Sequence, residues 1–215
     1  MNVLTFSEAR HLVARTGLGA EWGVVKKLEG MPRKSAIEFI LNPAPSNPRP
    51  APYMTPWNRL EPMREKGSKT RKNAWVMAQK EGHRLQGWWI DQMVRTRTPF
   101  VERMTLFWHN HFVTQINTVR QPNFSFSYYK TLRENALGNF KTFTEKITVD
   151  AAMLKYLNGN ENVVGRPNEN FAREILELFT IGKGPQIGPG NYTNYTEDDV
   201  VAAAKVLTGW RNLRD

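Results

Sequence analysis

The sequence predicts an all-α fold, a packed multi-helix domain interrupted by an extended proline-rich arm. Three observations predict it. Apolar residues recur with a helical period through most of the 215 residues. Helix-start signatures recur with them, at Thr5 to Glu8, Asn168 and Thr196 to Asp199. No segment shows the strict apolar–polar alternation of a half-buried strand.

The elements follow in order. Thr5-Phe6-Ser7-Glu8 has capping-box spacing and opens a short helix with Leu12 and Val13 on its apolar side, ending at Gly17 or Gly19. A second helix is expected from Ala20 to Glu29. A third starts after Gly30, with Pro32 in its first turn and Ile37, Phe39, Ile40 and Leu41 apolar. Residues 1–42 thus read as a small helical unit. Pro43, Pro45, Pro48, Pro50, Pro52 and Pro56 then exclude helix over 43–57, because proline lacks the amide donor and restricts its predecessor. Tyr53 and Trp57 are the expected anchors of this arm. Residues 58–215 read as the main domain.

A long helix is expected from Arg64 to Thr98, with Gly82 and Gly87 as candidate interruptions. Thr98-Pro99 supplies N-cap and first residue for the next helix, to about Val113. Gln121-Pro122-Asn123 reads as a turn. Helices are then expected over 125–137, 139–148 and 150–157, with Gly138 and Gly159 as stops. Asn168 caps a helix to Thr180. Gly182–Tyr195, with four Gly and two Pro, reads as loop. Thr196 and Asp199 open a last helix that ends near Gly209.

Composition excludes several chemistries. With no cysteine, disulfides, zinc–thiolate sites, iron–sulfur clusters and a Cys nucleophile are absent. No 18-residue apolar run offers a membrane span, and Met1 to Arg15 carries no secretory pattern, so a cytoplasmic location is expected. The net charge is +10. Residues 1–97 hold a basic surplus of 9 and residues 98–215 a surplus of 1. An anionic partner, nucleic acid among them, fits such a surplus, and so does a solvated basic face. Lys69, Arg71, Lys72 and Trp75 begin the basic–aromatic stretch that could hold a polyanion backbone and stack a base.

Two constellations could carry chemistry. In Met104–Phe112, His109 and His111 point roughly 160° apart on a helix, so they cannot share one ion. His111 shares a stripe with Phe100, Met104 and Phe107, which makes it the candidate for the interior. His109 falls on the other side, near Glu102, as an exposed or packing residue. In Asn168–Phe179, Phe171, Ile175, Leu178 and Phe179 form the apolar stripe, and Asn170, Glu174 and Glu177 share a flank. His111, Glu174 and Glu177 are the acid–base candidates, and His111 and Glu174 the metal-ligand candidates. Asn170 and Arg173 would line the same pocket. The plain alternatives are a hydrogen-bonded core histidine and a salt-bridged surface flank. No phosphate loop, nucleophile elbow or metalloprotease motif occurs, so no cofactor can be named.

Taken together, several segments resemble one family. They are Glu8-Ala-Arg-His-Leu12, Leu106-Phe-Trp-His-Asn-His-Phe112, Leu137-Gly-Asn-Phe140, Ala152-Met-Leu-Lys-Tyr-Leu157, Asn168-Glu-Asn-Phe-Ala-Arg-Glu174, Glu177-Leu-Phe-Thr-Ile-Gly182, Tyr195-Thr-Glu-Asp-Asp-Val200 and Leu207-Thr-Gly-Trp-Arg211. The chain resembles the large bacterial family known as a domain of unknown function, number eighteen hundred. The resemblance implies a helical protein of unknown activity. Family members are longer than this chain, which ends near their midpoint, so the resemblance also implies a missing C-terminal half as a partner. Three rival functions stand beside it: a binding module for an anionic polymer, a metal-dependent or acid–base hydrolase, and a scaffold that docks partners.

Overall fold

The structure is a computed structural model that describes residues 3–43, 47–56 and 69–212. It is all-α apart from one small hairpin. The chain divides into two compact units that interleave along the sequence, residues 1–52 with 84–107 and residues 53–83 with 108–215.

In the first unit, α1 (Phe6–Thr16) starts with the expected capping box, where Thr5 and Glu8 satisfy each other's backbone amides. Helix α2 (Trp22–Leu28) starts at Glu21, whose carboxylate accepts from the Gly23 and Val24 amides at 3.2 and 3.3 Å. Helix α3 (Arg33–Leu41) follows Pro32. Ala9, Val13, Val25, Leu28 and Ala36 are buried together with Leu4. Each of these helices is short for an isolated helix in water, so this shared core is what holds them.

The expected long helix is α4 (Lys69–Arg95). Residues 64–68 lie outside the described residues. Neither Gly82 nor Gly87 interrupts it, because α-helical geometry costs glycine entropy and not sterics. Gly82 has a packing reason: a Cβ there would meet Ile116 Cδ1 at 3.1 Å.

Arm residues 47–56 take no regular structure, as the prolines require. Of the two expected anchors, one can be placed. Tyr53 is 70% exposed, and Trp57 lies outside the described residues. Within the first unit Arg49 is the anchor. Its amide donates to Gln92 Oε1 at 2.8 Å, its carbonyl accepts from Trp88 Nε1 at 3.2 Å, and its guanidinium pairs with Asp91 at 3.0 Å. Within the second unit it is Thr55, whose amide and hydroxyl both donate to the buried Glu81 carboxylate. Backbone amides and buried side-chain acceptors hold the arm, and these carry no signature in hydropathy.

Helix α5 (Pro99–His111) starts where expected. Its buried positions among 99–107 are Glu102 and Thr105, whereas Phe107 is exposed. This reverses the expected stripe. Glu102 is 0% exposed and accepts from Gln92 Nε2 at 3.2 Å. A hydrogen-bonded partner makes that burial tolerable.

In the second unit the expected turn at 121–123 is instead a helix start. A single turn, α6 (Ile116–Val119), ends at Arg120 in the left-handed conformation. Pro122 then takes the first position of α7 (Pro122–Asn135), where its missing amide costs nothing. Helices α8 (Phe140–Thr148) and α9 (Ala151–Tyr156) follow, capped by Asn139 and Asp150. Phe112, Leu132, Phe143, Ile147, Met153 and Phe171 share the main core.

Asn168 caps α10 (Glu169–Glu174) through the Phe171 amide, as expected. The helix does not run on regularly to Thr180. From Ile175 to Phe179 it widens into a π-helix. The wider turn rotates the following residues, so Leu178 is 59% exposed and leaves the apolar stripe, while Phe179 stays buried. The expected loop contains a hairpin, β1 (Gln186–Gly188) antiparallel to β2 (Asn191–Tyr192), turning at Gly190 with φ 63°. Strands this short have no alternation to read. Thr196 and Asp199 form the second capping box and open α11 (Glu197–Val206). Among the described residues no helix is long and apolar enough to cross a membrane.

Candidate functional site

Three polar arrangements follow from this fold. The first is built on the π-helix. Widening leaves backbone carbonyls without their usual partners, and such turns often mark functional sites. Thr180 Oγ1 donates to the Ile175 carbonyl at 2.7 Å, and the Ile181 and Gly182 amides both donate to Leu176. The Phe179 carbonyl accepts from His111 Nε2–H at 2.9 Å. His111 therefore carries its proton on Nε2 when neutral. Its ring stands edge-on to Trp108, Phe112 and Phe179, with centroids 5.8, 4.7 and 6.1 Å away.

His109 is also half-buried, against the expectation that only His111 would be. The Tyr128 hydroxyl donates to the Phe112 carbonyl, so its oxygen accepts from His109 Nδ1–H at 3.2 Å. Burial holds His109 below the usual imidazole range and pushes the Tyr128 phenol up. The two histidines serve different partners, which is what opposite directions on one helix dictate.

The second arrangement joins α10, the π-helix, the hairpin and α11. Arg173 forms a two-pronged pair with Glu197, at 2.7 and 2.6 Å. The Tyr195 hydroxyl donates to Glu177 Oε2 at 2.6 Å. Lys183 Nζ lies 3.6 Å from the same carboxylate and 4.6 Å from the Tyr192 ring centroid. Hydrogen bonds from Arg173 hold Glu197 below the usual carboxylate range, and that pairing raises Arg173 in turn. Burial, then the Glu177 carboxylate, push the Tyr195 phenol up to about 12.

Of the five residues expected to share a pocket, Arg173 and Glu177 meet in one network through Tyr195, whose hydroxyl donates to Glu177 and accepts from Arg173. His111 instead serves the Phe179 carbonyl. Asn170 is exposed and Glu174 half-buried, and neither bonds a described residue through its side chain. Among the described residues no three His, Asp or Glu side chains could hold a metal ion together. His111 and Glu174 are not brought into such a group among those residues.

The third arrangement is a groove of about 290 Å³ in the second unit. Trp75, Gln79 and His83 line it from α4, and Asn117 and Arg120 from α6 and its end. Trp75 is 44% exposed. The left-handed Arg120, φ 61°, closes α6, and its Nε donates to the Asn117 carbonyl at 3.3 Å. Lys69, Arg71, Lys72 and Lys80 are exposed on the same stretch of α4. The single acid between Lys69 and His83 is Glu81, buried and occupied by Thr55. Among the described residues the exposed charges of α4 from Lys69 to His83 are therefore all positive.

The comparison with known proteins agrees with the long motifs around these arrangements. A family model described as protein of unknown function (DUF1800) matches residues 11–214. The chain belongs to the DUF1800 family. No curated protein and no solved structure matches it.

In this DUF1800 chain, several of the polar residues that meet carry no local signal of doing so. Glu197 and Tyr195 stand in the sequence only as parts of a helix cap and a motif. Their partners Arg173 and Glu177 lie 24 and 18 residues away. Gln79, His83, Asn117 and Arg120 meet only because α6 packs beside α4. An extra cation next to a proline start, Arg120-Gln121-Pro122, is the one local hint.

Proposed function

We propose that this chain is a binding module for an anionic polymer, with the groove beside α4 as its contact. One observation carries the reading. From Lys69 to His83 the solvent-facing charges are all positive, and the exposed Trp75 lines the same groove as Arg120. Cations at that spacing suit phosphates along a chain, and an exposed indole suits a stacked base. The polar residues around the π-helix favour a different account. Their bonds are made to one another, and satisfaction of a widened helix explains them as structure.

The test is fluorescence anisotropy with a labelled single-stranded oligonucleotide across a salt series. Binding should weaken steeply with salt. Lys72→Glu or Arg120→Glu should weaken it and flatten the slope by about 0.7 per lost phosphate contact. Trp75→Ala should cost about 1–3 kcal/mol if a base stacks there. Inorganic polyphosphate distinguishes charge from stacking, since its binding should ignore Trp75→Ala. Variants that bind both polymers as the parent does would refute the proposal, and so would a parent that binds neither.

A further inference from the structure

The first unit holds a second concavity with the opposite chemistry. It lies where α1 ends, and its volume is about 380 Å³. Val13, Val24, Phe39, Ile40, Pro99 and Phe100 supply apolar walls. That volume falls within the range of small-molecule sites, which are concave, mostly apolar and oriented by a few polar groups.

Sequence explains the opening. Gly17 ends α1, and a Cβ there would meet the Val13 carbonyl at 3.0 Å and Pro99 Cβ at 3.5 Å. The Val13 and Gly19 carbonyls, at 3.0 and 3.2 Å, leave little room for a side chain at Gly17. Gly19 is different. A Cβ at Gly19 would meet nothing within 4 Å, so the space beside it is open.

Among the described residues two charged side chains line this concavity, and Lys27 Nζ rests 4.0 Å from the ring centroid of its Phe39 wall. The Glu21 carboxylate is already occupied by the Gly23 and Val24 amides at the start of α2. Arg97 is exposed and makes no ion pair or hydrogen bond with a described residue. Apolar walls with one uncommitted cation complement an amphiphilic anion. The walls take the apolar body, and the guanidinium meets the head, an oxyanion that it can grip through two parallel N–H groups. A cationic amphiphile would fit the walls equally and meet the wrong charge.

We propose that this cavity binds a small amphiphilic carboxylate, its apolar chain against Val24, Ile40 and Phe100 and its head on Arg97. The proposal stands apart from the polyanion groove, since it involves different residues and an apolar ligand.

Calorimetric titration of the full chain with decanoate and with decylammonium tests it. Decanoate should bind saturably at one site, with the negative heat-capacity change of apolar burial. Decylammonium should bind more weakly. Gly19→Phe, whose ring enters open space, should weaken decanoate by about ten-fold or more, because several methylenes lose their burial. Arg97→Gln should weaken decanoate about three-fold and strengthen decylammonium by a similar factor, as expected of a charge at an exposed rim. Arg97 is exposed, so this variant keeps the test valid even if Gly19→Phe lowers the melting temperature. Absence of saturable decanoate binding would overturn the proposal. Equal binding of the two amphiphiles, with Arg97→Gln indistinguishable from the parent, would do the same. Undiminished binding by a folded Gly19→Phe variant would also overturn it.

Discussion

Replacing Asp150 by Asn should stabilise this protein at neutral pH, although it removes a helix-capping carboxylate. Asp150 is 8% exposed. It accepts from the Ala152 amide at 2.9 Å and from the Thr131 hydroxyl at 3.4 Å, with no cation among the groups that shift it. Burial pushes its carboxyl from 3.8 up to about 6, against the opposing effect of these hydrogen bonds and of one from the Met153 amide. A folded pKa above the unfolded one means that the native state favours the protonated form. Its stability is therefore greatest below the unfolded value, falls as pH rises from about 4 to about 6, and is level above that. A shift of about two units corresponds to about 3 kcal/mol at neutral pH.

Asn avoids this penalty and keeps the cap, since its Oδ1 still accepts from Ala152 and Asn caps as well as Asp. Its Nδ2 can donate to Thr131 Oγ1, whose proton then turns from residue 150 to the Ser127 carbonyl at 3.1 Å. The variant should gain about 1–3 kcal/mol at pH 7.5, a rise in melting temperature of about 2–10 °C. At pH 4 the two proteins should melt together. Thermal unfolding followed by circular dichroism from pH 4 to 8 reads the difference curve, which isolates this group from every other titration. A variant that melts lower at pH 7.5, or a difference that does not grow with pH, would refute the reasoning.

Two further perturbations probe the packing of the second unit. Gly159→Ala places a Cβ 2.9 Å from both Leu154 Cδ2 and Phe171 Cδ1, inside the main core. Overpacking there should cost about 1–3 kcal/mol by chemical denaturation, and a neutral result would show that the two side chains can move aside. His111→Leu keeps bulk but strands the Phe179 carbonyl, and should cost about 1–3 kcal/mol. His111→Gln can still offer an N–H, so it should recover part of that loss. Equal stability of the two variants would mean that the bond to Phe179 contributes nothing.

Features that depend on three or four consecutive residues are legible in the sequence itself. Both capping boxes, the Asn168 cap, the proline arm and the starts of α3 and α5 are of this kind. Each rests on a side chain meeting a backbone group, or a ring excluding one, within one helical turn. The candidate sites are legible in part. Arg173 and Glu177 share a stretch of predicted helix and do meet in one network, but the residues that join them, Tyr195 and Glu197, lie beyond local reach. Helical geometry correctly separates His109 from His111 but does not say what each bonds.

By itself the sequence determined the all-α class, the helix-start signals and membership in the DUF1800 family, because periodicity, capping and long motifs are written along the chain. Tertiary structure alone decided where those helices place their polar groups. It buried Glu102 beside Gln92, widened the helix at Ile175, paired the hairpin, and set Arg120 and Trp75 along one groove. The physical reason is the same in each case. A buried polar group must find a partner, and the partner is chosen by which elements pack together, at sequence separations where no local pattern survives.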